Sequence, residues 1–222
     1  MCKFFSFITI PTENKYLYFD WKQRREMKFE GCDSHGIILE HYKVKTDAFN
    51  AYEYNPLTKE FVIDAINGKD DSGKAERWVK QLDFKNVVES LIIKPIVNPF
   101  DLPEASVTVD DIELLKQWDS VRDLVWASVR DSVWASVWDS VRASVLDSVW
   151  ASVRDSVRDL VWDSARASVW AYFSSFFDIE YKYDYSPAVK LWERGLVASY
   201  DGTTRRLHTG KNAKVVYEWV EE

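Results

Sequence analysis

Residues 119–170 form a four-residue repeat, DSVR DLVW ASVR DSVW ASVW DSVR ASVL DSVW ASVR DSVR DLVW DSAR ASVW. The first position is Asp or Ala, the second is Ser or Leu, the third is Val or Ala, and the fourth is Arg, Trp or Leu. The tetrads follow one another without a gap. A fixed period of this kind dictates the architecture, so the fold class depends on which regular structure the period can adopt.

A single long α-helix does not keep one apolar face with this period. Four residues advance about 400° around a helix, so the Val row drifts by about 40° per tetrad. In a β-solenoid, each tetrad would be one short side of a coil, with Val pointing inward and the variable positions facing water. Missing Gly and Asn at the corners count against the solenoid. The sequence therefore predicts a small β-solenoid between α+β ends, with one long or broken α-helix as the alternative.

The ends of the chain have the patterns of small globular domains. Residues 1–104 are predicted to form an α+β domain with two hairpins and three or four short helices, in which Ser34 and Ser72 cap helices. Residues 105–173 are the repeat segment with a cap helix at its start. Residues 174–222 are predicted to form a helix, with Pro187 in its first turn and Gly195 at its end, followed by a three-stranded antiparallel sheet.

Composition narrows the class of protein. The net charge of −7 argues against a general nucleic-acid coat. Two cysteines, Cys2 and Cys32, fit a reducing compartment. No stretch approaches the length of an apolar membrane span, and the N-terminus lacks a signal-peptide layout. A soluble cytoplasmic protein is expected, in the host cell if a phage encodes it, with no cofactor and no membrane partner.

Several segments resemble a family of uncharacterised proteins from phages and metagenomes. These segments are the opening CKFFSF, YEYNPLTKEF, LIIKPIVNP, the DSVW and ASVR tetrads, and LWERGLVASYDGTTRRLHTG. The family form has Pro where Ala198 stands and Trp where Arg205 stands, which bears on the local turn and packing. The resemblance implies no activity. It implies that the number of tetrads varies freely, which suits a spacer or an extendable surface.

The fourth positions of the tetrads are the leading candidates for a binding surface. Trp and Arg are enriched at binding hot spots, and rows of aromatic side chains suit stacking. In a coil of twelve residues these side chains would form one Trp column and one Arg column. The alternatives are a spacer in which Trp and Arg pack on each other, and mimicry of DNA by the Asp rows. The predicted binding residues are Trp126, Trp138, Trp150, Trp162, Arg130, Arg142, Arg154 and Arg166.

Other residues support weaker hypotheses. Removal of Met1 would expose Cys2 as an N-terminal nucleophile, as in amidohydrolases, whereas a buried apolar role explains the same residue. A zinc site at Cys32, His35 and His41 lacks an evident fourth ligand, so no metal is predicted. The acidic pairs Asp70-Asp71 and Asp110-Asp111 precede helices, where carboxylates are stabilising. His208, Arg205 and Arg206 could contact an anion or simply form an exposed polar strand face.

The function expected from these patterns is that of a non-enzymatic structural or interaction protein whose repeat is a rod or a binding surface. Its partner is expected to be a protein or a second copy of the chain, with nucleic acid less favoured. Two other hypotheses remain open. One is an amidohydrolase-like enzyme that uses Cys2, and the other is a phage counter-defence protein that occupies a host factor.

Overall fold

The computed structural model describes residues 4–28, 30–136, 142–143, 145–151 and 162–220, and the side chains of residues 134–136 and 162–164 lie outside that description. The described chain divides into two compact units. The first contains residues 4–28, 30–93 and 142–143, and the second contains residues 94–136, 145–151 and 162–220.

The first unit is a four-stranded antiparallel sheet with helices on it. The sheet order is β2-β1-β3-β4, and β1 pairs with both β2 and β3. Alternation along β1 sends Phe5 and Phe7 to one face and Ile8 to the other. The elements of this unit are β1 (Phe5–Ile10), β2 (Lys15–Leu17), α1 (Trp21–Glu26), α2 (His35–His41), β3 (Asn50–Asn55), β4 (Glu60–Ile66) and α3 (Ser72–Val79).

Both faces of this sheet are covered by apolar side chains. On one face the ring of Trp78 from α3 lies 5.0 Å from that of Phe7, and Phe84 lies 5.3 Å from Phe5. On the other face Ile8 belongs to a buried cluster with Phe19, Cys32 and Ile38. The hairpins and helices predicted for this part are present. Two details of the prediction were wrong: Asp71, not Ser72, is the N-cap of α3, and only a 3-10 turn, Phe84–Asn86, stands where a fourth short helix was expected after α3.

The second unit combines the described repeat with the C-terminal segment. The helix α7 packs against α5, α8 and the strand β5, and α4 packs against α8. The C-terminal sheet has the order β5-β6-β7 and is antiparallel, as predicted. The elements of this unit are α4 (Val109–Asp119), α5 (Val125–Ser136), α6 (residues 145–151), α7 (Trp162–Ser174), α8 (Ser186–Glu193), β5 (Val197–Tyr200), β6 (Thr204–Thr209) and β7 (Lys214–Val220).

The β-solenoid prediction is wrong. The tetrads that the structure describes are helical, and a 3-10 turn at Arg122–Leu124 separates α4 from α5. Short helices remove the difficulty that a long one would face. Three Val residues spaced four positions apart on a helix span about 80° around its axis, which fits within an apolar stripe about 100° wide. The twelve residues of α5 therefore keep Val125, Val129 and Val133 on one buried side.

Only part of the predicted burial pattern within a tetrad is present: the third position points inward, but the fourth does not consistently face water, since Trp170 is 5% exposed. The third-position residues Val125, Val129, Val133, Val145, Val149, Ala165 and Val169 are all at most 1% exposed. First-position residues such as Asp131 and Asp147 are exposed. Apart from the half-buried Val121, the described third positions, Val or Ala, therefore form a core row in helical form, and the exposed first positions vary.

Candidate functional site

The strongest candidate site is a groove between the start of the repeat and its end. It has a volume of about 400 Å³, and α5 and α7 both contribute to it. The lining residues come from tetrads about forty positions apart, so the groove exists only because the repeat folds back on itself. This surface, called the groove, is lined by Arg122, Val125, Trp126, Arg166, Ala167 and Trp170.

The floor of the groove is apolar and packed. Val125 is 1% exposed, and Trp170 is 5% exposed, with its ring 5.4 Å from that of Phe173 in an edge-on contact. Trp126 is different, since 45% of it is exposed. An indole held at the surface beside a buried apolar floor is the arrangement that gives high contact energy in protein interfaces.

The position of Trp126 is set by its neighbour one helical turn later. The guanidinium carbon of Arg130 lies 4.4 Å from the ring centroid of Trp126, and Arg130 Nη2 lies 2.9 Å from Asp131 Oδ1. Residues four apart share one side of a helix, which makes this contact a direct product of the four-residue period. The contact also matches the packing of Arg on Trp that the spacer hypothesis predicted, so the fourth-position residues pack on each other and still expose an indole face.

Arg122 is held at the groove by a stack of alternating cations and rings. Its guanidinium carbon lies 3.7 Å from the centroid of Tyr200, and that of Arg205 lies 4.8 Å from the same ring. Arg205 continues the stack to Trp219 at 4.9 Å. Asp119 accepts from Arg205 at 2.8 Å and lies 3.9 Å from Arg122 Nε. This stack fixes the first turn of the repeat to the C-terminal sheet, and the charge of Arg122 is largely compensated there.

Arg166, on the opposite side of the groove, carries a less compensated charge. It is exposed, and it makes no ion pair with the side chains that the structure describes. The groove thus combines an apolar floor, one exposed indole and one guanidinium directed to solvent.

The structure brings some of the predicted binding residues to the groove and leaves others away from it. The structure brings Trp126 and Arg166 together and stacks Arg130 on Trp126. Trp150 and Arg142 are half-buried and do not line the groove. The predicted columns with a spacing of twelve belong to the solenoid and are wrong with it. Trp138, Arg154 and the side chain of Trp162 lie outside the described residues.

The sequence prediction missed Arg122 and Trp170. Both occupy fourth positions of tetrads, so the signal was present in the repeat. The sequence did not show that the repeat folds back on itself, which brings residues of its first and last tetrads to the groove.

The weaker candidate sites have structural explanations where they are described. Cys32 is buried, and burial raises the pKa of its thiol, which disfavours the thiolate. His35 bonds Tyr52 O through Nε2 and Asp64 through Nδ1. His41 packs its ring on Phe19. Among the described residues, no three His, Cys, Asp or Glu side chains come close enough to hold a metal ion. Cys2 lies outside the described residues, so the nucleophile hypothesis stays a prediction.

Both acidic pairs lie at helix starts, as predicted. Asp111 Oδ2 accepts from Thr108 N at 2.8 Å in a capping box. Asp71 Oδ1 accepts from the buried side chains of Tyr52, Asn50 and Thr9 at 2.7–3.0 Å. This network raises the pKa of the Tyr52 hydroxyl through burial and the adjacent carboxylate. Its role is to fix α3 to the sheet.

His208 and Ser199 form the one arrangement that looks catalytic within the described residues. Ser199 Oγ lies 2.7 Å from His208 Nε2, and His208 Nδ1 lies 2.9 Å from Ala213 O. A carbonyl only accepts, so Nδ1 carries the proton and Nε2 accepts from the serine hydroxyl. Burial lowers the pKa of His208, and both side chains are 5% exposed. The pair therefore ties β5 and β6 to the turn before β7 and is closed to a substrate.

The two arginines next to His208 are engaged in ion pairs. Arg205 pairs with Asp119, and Arg206 pairs with Asp201 and with Glu218. The anion-contact hypothesis for this strand therefore lacks support.

No protein-family model matches this chain, and no curated protein and no solved structure matches it either. None of the helices among the described residues has the length and apolar character that crossing a membrane requires.

Proposed function

We propose that the protein is a non-enzymatic interaction protein that binds a protein partner through the groove. The observation that carries the proposal is the exposed indole of Trp126 beside the apolar floor and the guanidinium of Arg166. Partly exposed Trp and Arg next to packed apolar surface is the composition of interface hot spots.

The repeat supports this function in a second way. Its Val row builds the core of the α5–α7 pair, which leaves the outer positions free to vary without loss of the fold. Such a scaffold can present different Trp and Arg patterns on one framework. The binding and spacer hypotheses are then compatible, because the tetrads at the two ends of the repeat make the groove and the tetrads between them connect it.

The test is retention of a partner from a lysate of the cells that naturally make the protein. The immobilised full chain is compared with Trp126→Ala and Arg166→Ala. The matched controls are Trp150→Ala and Arg142→Ala, which change the same residue types at the same tetrad position outside the groove. We expect both groove variants to lose the partner at least tenfold while the controls keep it, since a hot-spot truncation costs roughly 2 kcal/mol or more. Equal retention by groove and control variants would contradict the proposal.

A further inference from the structure

The groove contains one cation that the described part of the chain does not compensate. Arg166 is exposed and makes no ion pair with the described side chains. Arg122 differs, since its guanidinium carbon lies 3.7 Å from the centroid of Tyr200 and its Nη2 lies 3.2 Å from Asp123 Oδ1. The group complementary to Arg166 is a carboxylate, because a guanidinium and a carboxylate form two short charge-assisted hydrogen bonds.

The surface beside Arg166 is apolar and partly open. Trp126 is 45% exposed, and the guanidinium carbon of Arg130, 4.4 Å from its ring centroid, holds the indole in place. Ala167 is half-buried, and Trp170 closes the floor at 5% exposed. A bulky apolar side chain that covers this surface removes it from water, which favours binding. The groove is therefore complementary to two neighbouring groups, one anionic and one apolar.

Acidic side chains near the groove limit the negative charge that a ligand can carry. The side chains of Asp123 and Asp131 are 82% and 68% exposed, and Asp123 directly follows Arg122. Together with the net charge of −7, these carboxylates repel a phosphate chain or a run of acidic residues. A single carboxylate meets much less repulsion, so it is the anion that the groove favours.

The surroundings of Arg166 favour the carboxylate of a side chain over that of a chain terminus. Capture of a terminus uses several free backbone N–H groups that point to one place. Arg166 lies inside α7, where each backbone N–H bonds to the carbonyl four residues earlier. The donor at this point of the groove is thus a guanidinium on a flexible stem, which suits an Asp or Glu side chain.

We propose that the groove recognises a segment of a partner protein in which one Asp or Glu stands beside a bulky apolar residue, with no other acid close by. The proposal rests on the proposed function and names the chemistry of the partner at the same site. In the contact, Arg166 donates two hydrogen bonds to the carboxylate, and the apolar side chain covers the open face of Trp126. The volume of about 400 Å³ lies at the lower end of the range, roughly 300–1,000 Å³, that proteins use for bound groups, which suits a few side chains.

The experiment measures how much of one retained protein the immobilised full chain holds from a lysate of the cells that make it, with and without nuclease treatment. The wild type is compared with Arg166→Lys, Arg166→Gln and Arg166→Glu. We expect Arg166→Gln to lose at least about tenfold, since a hydrogen-bonded charge is removed, and Arg166→Glu to lose more. Arg166→Lys keeps the charge without the fork of donors, so its retention should lie between those of the wild type and Arg166→Gln. Far-UV circular dichroism checks that each variant is folded.

A carbodiimide identifies the group that faces Arg166. This reagent joins an amine and a carboxylate directly as an amide, with loss of water, and Arg166→Lys places an amine at the position of the guanidinium. Peptide mass spectrometry of the retained complex should show a bond from position 166 to an Asp or Glu of the partner, with a bulky apolar residue beside it. The control is Arg142→Lys, the same change at the same tetrad position outside the groove, which should give no such bond from position 142.

Some results would overturn this inference and leave the proposed function standing. Retention that is lost in Trp126→Ala but unchanged in Arg166→Gln would mean that the partner presents an apolar surface alone. Equal retention by Arg166→Lys and Arg166→Gln would mean that the charge does not contribute. A retained complex without a crosslink at position 166, or with a crosslink to the C-terminal carboxylate of the partner, would reject the Asp or Glu side chain.

Other results would overturn the proposed function as well. If every protein that the wild type retains is also retained by Trp126→Ala, the groove does not hold a protein partner. If nuclease treatment abolishes the retention, the groove is instead assigned to nucleic acid.

Discussion

Val129 is the residue at which the helical packing of the repeat is tested most directly. It lies in the middle of α5, it is 0% exposed, and it belongs to the buried Val row. Replacing Val129 with Ala removes two methyl-sized groups from the core and leaves the backbone unchanged. The free energy of unfolding of the second unit should therefore fall by an amount set by the lost burial.

The expected magnitude combines three effects. Loss of the two groups costs about 1.6 kcal/mol, at about 0.8 kcal/mol for each buried carbon. An incompletely closed cavity adds about 1 kcal/mol, and the better helix propensity of Ala returns roughly 0.5 kcal/mol. We expect Val129→Ala to destabilise the protein by about 2 kcal/mol.

The measurement is urea unfolding followed by far-UV circular dichroism, with linear extrapolation to water. The control is Val109→Ala, since Val109 is also helical but 81% exposed, and its replacement should change stability by less than about 0.5 kcal/mol. If both variants lose the same small amount, Val129 is not in a packed core and the account of the Val row is wrong.

Three further predictions concern other parts of the chain. Gly195 has φ +79°, and a Cβ there would lie 3.2 Å from Pro99 O, so Gly195→Ala should cost more than about 1 kcal/mol in urea unfolding, whereas Gly73→Ala in α3 should be neutral or stabilising. Burial lowers the pKa of His208, so its contribution to stability is complete above its unfolded pKa of about 6.5 and is lost as the pH falls below that value. His208→Gln should therefore reduce the pH dependence of the urea midpoint between about pH 7 and about pH 5. An unchanged pH dependence in this variant would contradict the assignment. Asp33→Asn removes the carboxylate charge that lies 2.9 Å from the fully buried Arg24 and should destabilise the first unit by about 3–5 kcal/mol. The measurement is thermal unfolding, and an unchanged midpoint would mean that the pair is dispensable.

Local signals in the sequence predicted much of the fold. Ser34 caps α2 through Ile37 N, and Gly195 follows the end of α8 in a left-handed conformation. The predicted hairpins also agree with the structure, because turn residues such as Asp201 and Gly202 act over only a few positions. Ser72 shows the limit of such signals, since a polar pair such as Asp71-Ser72 offers two caps and the tertiary network around Asp71 decides between them.

The class of the repeat could not be settled in this way. The drift of the Val row excludes one long amphipathic helix, but it does not exclude short helices separated by turns. The turn that the structure describes within the repeat, Arg122–Leu124, carries no Gly or Pro, so the sequence gives no sign of a bend there. The groove depends on the packing of α7 against α5, which brings Trp126 and Arg166 to one surface. The missing information was long-range packing, which a local four-residue pattern does not contain.

The four-residue period also has a consequence for how the gene can change. Four codons make a unit of twelve nucleotides, so slippage of the replicating strands by whole units adds or removes tetrads without shifting the reading frame. Within a helix, one added tetrad would turn everything downstream by about 40° and move it about 6 Å along the axis. Added tetrads inside α5 or α7 would therefore separate Trp126 from Arg166. A change of copy number inside either helix is therefore expected to disrupt the groove even though it keeps the reading frame.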